Sequence, residues 1–190
     1  VPAADCLPLR VGNPEGNYIV PGVLGAIPYA RRARGDLLLD AYVQGGGGIR
    51  PGVIVIHGGG FRSGSRVSYL GQILETLTRA GVNWFAVDYR LNGPERQDDA
   101  EDDVRAAIEF VRCHAAELHT DPDALAVLGE DTGALLATRL PARDRRLRAA
   151  VLVGGVYPPR PTRPLETLVV HGTADAEVPP DDASAYCQGI

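Results

Sequence analysis

Three short stretches combine residue types and spacings that could do chemistry. In Gly129-Glu130-Asp131-Thr132-Gly133 a carboxylate stands midway between two glycines. A Gly-x-X-x-Gly turn holds its central side chain at the end of a strand, above a helix N-terminus, and the two glycines relieve backbone crowding. His57-Gly58-Gly59-Gly60-Phe61 places three successive glycines directly after a β-branched run. His171-Gly172-Thr173-Ala174-Asp175 brings a second carboxylate to the end of another apolar run. The plain alternatives are a flexible strand-to-helix turn for the glycines and an ordinary loop aspartate for Asp175.

The elements that must position these stretches are legible from periodicity. Residues 27–30 and 37–43 read as an edge hairpin turned at Arg34-Gly35-Asp36. Residues 53–56, all β-branched, read as a central strand leading into the glycine run. A helix is expected over 67–80, with Leu70, Ile73, Leu74 and Leu77 at helical spacing and Gly81 closing it. Residues 82–87 form the next strand. A helix over 98–117 follows, with an acidic first turn that complements its dipole. The short apolar run 125–128 suits a strand covered on both faces, and the turn helix spans 132–140. Strands at 149–153 and 168–171, separated by a proline-rich link, and a helix starting at 181 complete the chain. Strands alternating with helices predict an α/β domain with a mostly parallel sheet and helices on both faces. In such sheets the chemistry sits at the carboxyl ends of the strands, where all three stretches fall. Residues 1–25 read as an irregular lead-in and 26–190 as one domain.

Composition bounds the function. A chain of 190 residues with 45% hydrophobic and 23% charged residues matches an ordinary soluble globular domain. A net charge of −5 argues against nucleic acid or an anionic membrane as partner, and no apolar run approaches the roughly 20 residues of a membrane helix. The chain starts at Val1 rather than methionine and shows no signal peptide, which fits processing or a removed start. Cys6, Cys113 and Cys187 have no metal-ligand spacing; one disulfide plus a free thiol and three buried thiols are both open. An exported location is slightly favoured. All 19 basic residues are arginine, which reads as coding bias.

Four motifs, in order and at matching separation, resemble the α/β-hydrolase fold, in its esterase and lipase branch with a His-Gly-Gly-Gly motif. They are His57-Gly58-Gly59-Gly60-Phe61, Val87-Asp88-Tyr89-Arg90-Leu91, Gly129-Glu130-Asp131-Thr132-Gly133, and His171-Gly172-Thr173-Ala174-Asp175 followed by Val178-Pro179. The resemblance implies a carboxylic-ester hydrolase with no cofactor and no metal, acting on a small ester or similar neutral substrate. It implies an oxyanion hole made by the backbone N–H groups of Gly59, Gly60 and Thr132, glycine being needed for close approach to the substrate. It places Asp131 at the nucleophile position and Asp175 at the triad acid position. The interval from Asp131 to Asp175 leaves no room for a lid domain. His57 is expected to brace the glycine loop, His114 and His119 to lie at the surface, and His171 to be structural.

The sequence departs from the family pattern at two points. Asp131 stands where the family has serine, and no histidine follows Asp175 in these residues, where the family's last strand and triad histidine would come. Loss of serine or base costs about 10⁶ in kcat in a well-studied serine protease. The chain is therefore expected to be weak or inactive as an esterase. Three readings stand: an ester-hydrolase lineage disabled or altered here, an aspartate-nucleophile hydrolase of the epoxide or haloalkane type, and a non-catalytic relative that binds or scaffolds. In the last, Asp131 would be an anion favoured by a helix N-terminus, in a site that repels carboxylates. An open edge at 168–171 is expected to invite dimerisation.

Overall fold

The computed structural model describes residues 6–13, 21–68, 70–158 and 163–189. Parts of the lead-in (1–5 and 14–20) and of the proline-rich link (159–162) lie outside the described residues. Seven strands form one sheet: β1 (Leu24–Arg32), β2 (Gly35–Tyr42), β3 (Arg50–Ile56), β4 (Asn83–Val87), β5 (Thr120–Glu130), β6 (Leu147–Val153) and β7 (Glu166–Val170). Their spatial order is β1-β2-β4-β3-β5-β6-β7. The β1–β2 hairpin is antiparallel and joins β4 antiparallel, while β4, β3, β5, β6 and β7 run parallel. This is the mostly parallel sheet expected, in the α/β-hydrolase arrangement with one strand fewer than that fold usually has.

Each central strand is apolar on both sides because each side meets a helix layer. On one face Val53, Val55, Trp84, Ala86 and Leu128 pack with Leu70, the residue before α1 (Gly71–Arg79), and with Leu74 of that helix. On the other face Ile54, Ile56, Phe85 and Val127 meet Val104 and Ile108 of α2 (Gln97–Cys113) and Leu136 and Leu140 of α3 (Thr132–Arg143). The alternation 53/55 against 54/56 is the two-residue period of a strand. Through Ala183 and Tyr186, α4 (Pro180–Gln188) joins the second cluster.

Two helix boundaries differ from the expectation. The helix expected from 67 begins at Gly71, because the segment before it is tied into a turn. Ser68 N–H donates to Ser65 O, and Arg66 is drawn into the core between Asp40 and Asp88. The helix expected to reach 117 stops at Cys113, after which hydrogen-bonded turns lead to Thr120. Cys113 is joined to Cys6, so the one-disulfide alternative holds, and Cys187 is free and exposed.

Candidate active site

At the end of β5 the chain turns sharply into α3, and the corner residue is Asp131, with φ 53° and ψ −120°. Such a backbone costs a non-glycine residue about 1–3 kcal/mol, and strain of this kind clusters at functional sites. It is held by Asp131 N–H donating to Val153 O and by Ala134 N–H donating to Asp131 O, each at 3.0 Å. The corner closes only because its flanks lack side chains. A Cβ on Gly129 would lie 2.0 Å from Gly133 O, and one on Gly133 would lie 2.2 Å from Ile56 O.

The glycine run after β3 faces this corner, and peptide planarity explains its aim. The ring of buried His57 donates from Nδ1 to Gly58 O at 2.6 Å. Because the peptide is planar and trans, fixing that carbonyl turns the Gly59 N–H the other way, toward the elbow. Gly59 O in turn accepts from Arg62 N–H, Ser63 N–H and the Ser63 hydroxyl at 3.0–3.1 Å, which orients the Gly60 N–H. Tyr89 supports the arrangement from below: its ring stacks on His57 at 4.3 Å and its hydroxyl donates to His57 O at 2.8 Å. Burial of His57 lowers its pKa, in keeping with a bracing ring.

The glycine loop is met by carboxylates. Gly59 N–H donates to Asp131 Oδ2 at 2.8 Å, and Gly58 N–H donates to Glu130 Oε2 at 3.0 Å. Asp131 occupies the N-cap position of α3, yet its side chain makes no cap bond and reaches across to the loop instead. Burial raises the pKa of Glu130, opposed by the Gly58 N–H bond and reinforced by the charge of Asp131. Gly60 N–H makes no hydrogen bond among the described residues. Thr132 opens α3, where a first-turn amide has no intrahelical acceptor.

Asp175 lies in the loop after β7, at the same end of the sheet as Asp131 and two strands away. Its carboxylate accepts from Val178 N–H at 3.0 Å and Glu177 N–H at 2.9 Å, which, with weaker help from His171, holds its pKa below the ordinary aspartate value. No hydrogen bond links it to Asp131 among the described residues. His171 is engaged at both nitrogens. Nε2–H donates to Val178 O, and Nδ1 accepts from the Tyr157 hydroxyl, both at 2.9 Å. His114 bonds Leu7 O through Nε2, and His119 sits in the turn before β5 with φ 46°. Among the described residues, no group of His, Cys, Asp and Glu could hold a metal ion.

A scan of protein families adds the deciding observation: the family model BD-FAE matches residues 39–146, more than half of the chain. This chain belongs to the BD-FAE family. The matched span holds the glycine loop, the Asp88-Tyr89-Arg90 segment and the elbow, and places the chain among the α/β-hydrolases of the esterase and lipase branch. An ethyl acetate hydrolase of Pseudomonas putida is 36% identical over 109 residues, covering 56% of this chain and 34% of that protein. A probable carboxylic ester hydrolase of Mycobacterium tuberculosis, LipM, is 28% identical over 123 residues, covering 58% of this chain and 28% of that protein. The chain thus spans about a third of the length of the curated relatives it matches. Among solved structures, Thermogutta terrifontis esterase 2 phosphorylated by paraoxon superimposes with a TM-score of 0.71 at 26% identity, over 89% of this chain and 79% of that one. The native form of that esterase gives the same TM-score at 24% identity, over 95% and 81%.

Two participants escaped the sequence reading. Glu130 was visible only as a spacer in the elbow, and nothing in its position showed that it would clasp Gly58. Asp88-Tyr89-Arg90 was visible as a motif without a task. In the structure Asp88 binds Arg66 just beyond the glycine loop, Tyr89 props His57, and Arg90 is anchored to Asp103 of α2.

Proposed function

We propose that this chain is an ester-hydrolase scaffold whose oxyanion hole is stoppered by its own elbow carboxylate. One observation carries the reading: the 2.8 Å hydrogen bond from Gly59 N–H to Asp131 Oδ2. In acyl transfer such an amide stabilises the oxyanion of the tetrahedral intermediate, and losing one donor costs about 10²–10³ in rate. Here the carboxylate of Asp131 stands where that oxyanion would form. An ester carbonyl entering the hole must displace a charge-assisted bond. Asp131 also lacks the hydroxyl that would attack the carbonyl, a loss of about 10⁶ on its own. Gly60 and Thr132 remain as further donors, and Asp175 stands at the triad acid position. None of the histidines in these residues is placed to serve as base at the elbow. The expected substrate class is a small neutral ester, since carboxylates are repelled by Glu130 and Asp131. The Cys6–Cys113 disulfide supports work in an oxidising compartment.

The test is hydrolysis of short-chain nitrophenyl esters by the chain and its Asp131→Ser variant, each with and without a continuation that supplies a triad histidine. Turnover is expected only when serine and histidine are both present. Turnover by the unaltered chain, abolished in Asp131→Asn, would make Asp131 a nucleophile and overturn the stopper. Silence in every folded form would favour the binding or scaffold role.

A further inference from the structure

The opposite end of the sheet carries a different chemistry. A depression of about 440 Å³ lies where β6 and β7 begin, lined by Arg145, Arg148 and Arg163, with Leu147, Leu165 and Glu166. Val153, at the far end of β6, pairs with Glu130. The depression is therefore roughly 20 Å along the strands from the elbow.

None of the three arginines makes an ion pair among the described residues. Two of them are nevertheless held in place: Arg148 donates from Nε to Asp123 O at 2.7 Å, and Arg163 donates from Nη2 to Leu147 O at 3.0 Å. The Nε of Arg163 is buried and has no acceptor among the described residues. The side chain of Arg145 makes no hydrogen bond among the described residues and is exposed. A neighbouring depression shows the contrast. There Arg146 pairs with Glu109 at 2.7 Å, Arg105 with Asp102 and Arg143 with Glu101, and Asp144 is bound by Arg112, so every lining cation except Arg145, which borders both depressions, has a carboxylate partner. Among the described residues the sole acid lining the first depression is Glu166, which is exposed and in no ion pair with any of them. Guanidinium groups gathered without counter-charge repel one another, and one orphaned N–H is a standing cost. A tetrahedral, multiply charged oxyanion relieves the repulsion, because its oxygens can accept from several guanidinium forks at once.

We propose that this depression is a binding site for a phosphoryl group, free or carried on a larger molecule. It is separate from the elbow, so its occupancy does not depend on ester chemistry. The test is titration of the whole chain with inorganic phosphate and with glycerol phosphate at constant ionic strength, followed by amide chemical shifts. Saturable shifts are expected at residues 145–148 and 163–166, with the elbow glycines unmoved. Arg145→Gln loses no contact within the fold and should weaken binding about tenfold, and Glu166→Gln should strengthen it. Arg163→Gln should abolish it, with folding checked by the unchanged elbow signals. Tighter binding of the ester than of free phosphate would assign the site to a carried group, and equal binding to the free ion. Shifts that never saturate, or that Arg145→Gln and Glu166→Gln leave unaltered, would overturn the proposal.

Discussion

At the scale of single residues, the elbow is decided by two adjacent carboxylates on two adjacent amides. Asp131 was legible as the odd letter in a Gly-x-X-x-Gly turn, but where its side chain goes was not. A helix N-terminus offers an aspartate a local partner, and sequence alone gives no reason to prefer the distant Gly59. The structure prefers Gly59 because His57, from behind, has already turned that N–H toward the corner. Glu130 carries a pH dependence with a definite sign. Burial first, and then the charge of Asp131, raise its pKa above the ordinary glutamate range, against the Gly58 N–H bond. A carboxyl whose folded pKa is raised contributes stability that is fully present below the unfolded value and lost as pH rises through the folded one. Glu130→Gln keeps an oxygen for Gly58 and cannot lose a proton. Its melting temperature should therefore exceed the parent's at neutral pH, with the gap closing as pH falls below the ordinary glutamate range. Thermal unfolding across that range checks this, and a gap independent of pH would contradict it.

At the scale of elements, every strand and helix expected from periodicity is present, because patterning and glycine or proline punctuation were strong. What failed was the start of α1 and the end of α2. The apolar spacing that includes Leu70 is real, since that side chain is buried on the sheet beside Leu74 of α1. Yet the backbone before Gly71 obeys a long-range partner, Asp88, which no local window contains. The strand-to-helix crossing at the elbow is the tightest packing in the site, and Gly129→Ala tests it. The added methyl would sit 2.0 Å from Gly133 O. Overpacking against backbone should cost about 3 kcal/mol or more, read from denaturant midpoints. At the sheet's edge, β7 pairs with β6 alone among the described residues, and it leaves Leu168 58% and Val170 49% exposed on one face. Association that grows with concentration in sedimentation velocity is expected, and Leu168→Lys should reduce it.

At the scale of the whole molecule, one long tie matters most. The Cys6–Cys113 disulfide joins the lead-in to the end of α2 across 107 positions of sequence. Its pairing was not legible, because three cysteines with no motif spacing leave every pairing open. Closing so long a loop in the unfolded chain should stabilise the fold by about 5 kcal/mol in the chain-entropy view. Reduction, or the paired Cys6→Ser and Cys113→Ser variant, should lower the urea midpoint accordingly. The rest of the molecule serves to bring the ends of β3, β5 and β7, and with them loop, elbow and acid, to one end of the sheet. Whether the glycine loop is stoppered is settled most directly by titrating butyramide, a neutral carbonyl ligand, into the chain and its Asp131→Ser variant while following the Gly59 and Gly60 amide signals. With the carboxylate of Asp131 in the hole, those signals should stay still in the parent and shift saturably in Asp131→Ser. Equal, saturable shifts in both would mean that Asp131 does not occupy the oxyanion hole.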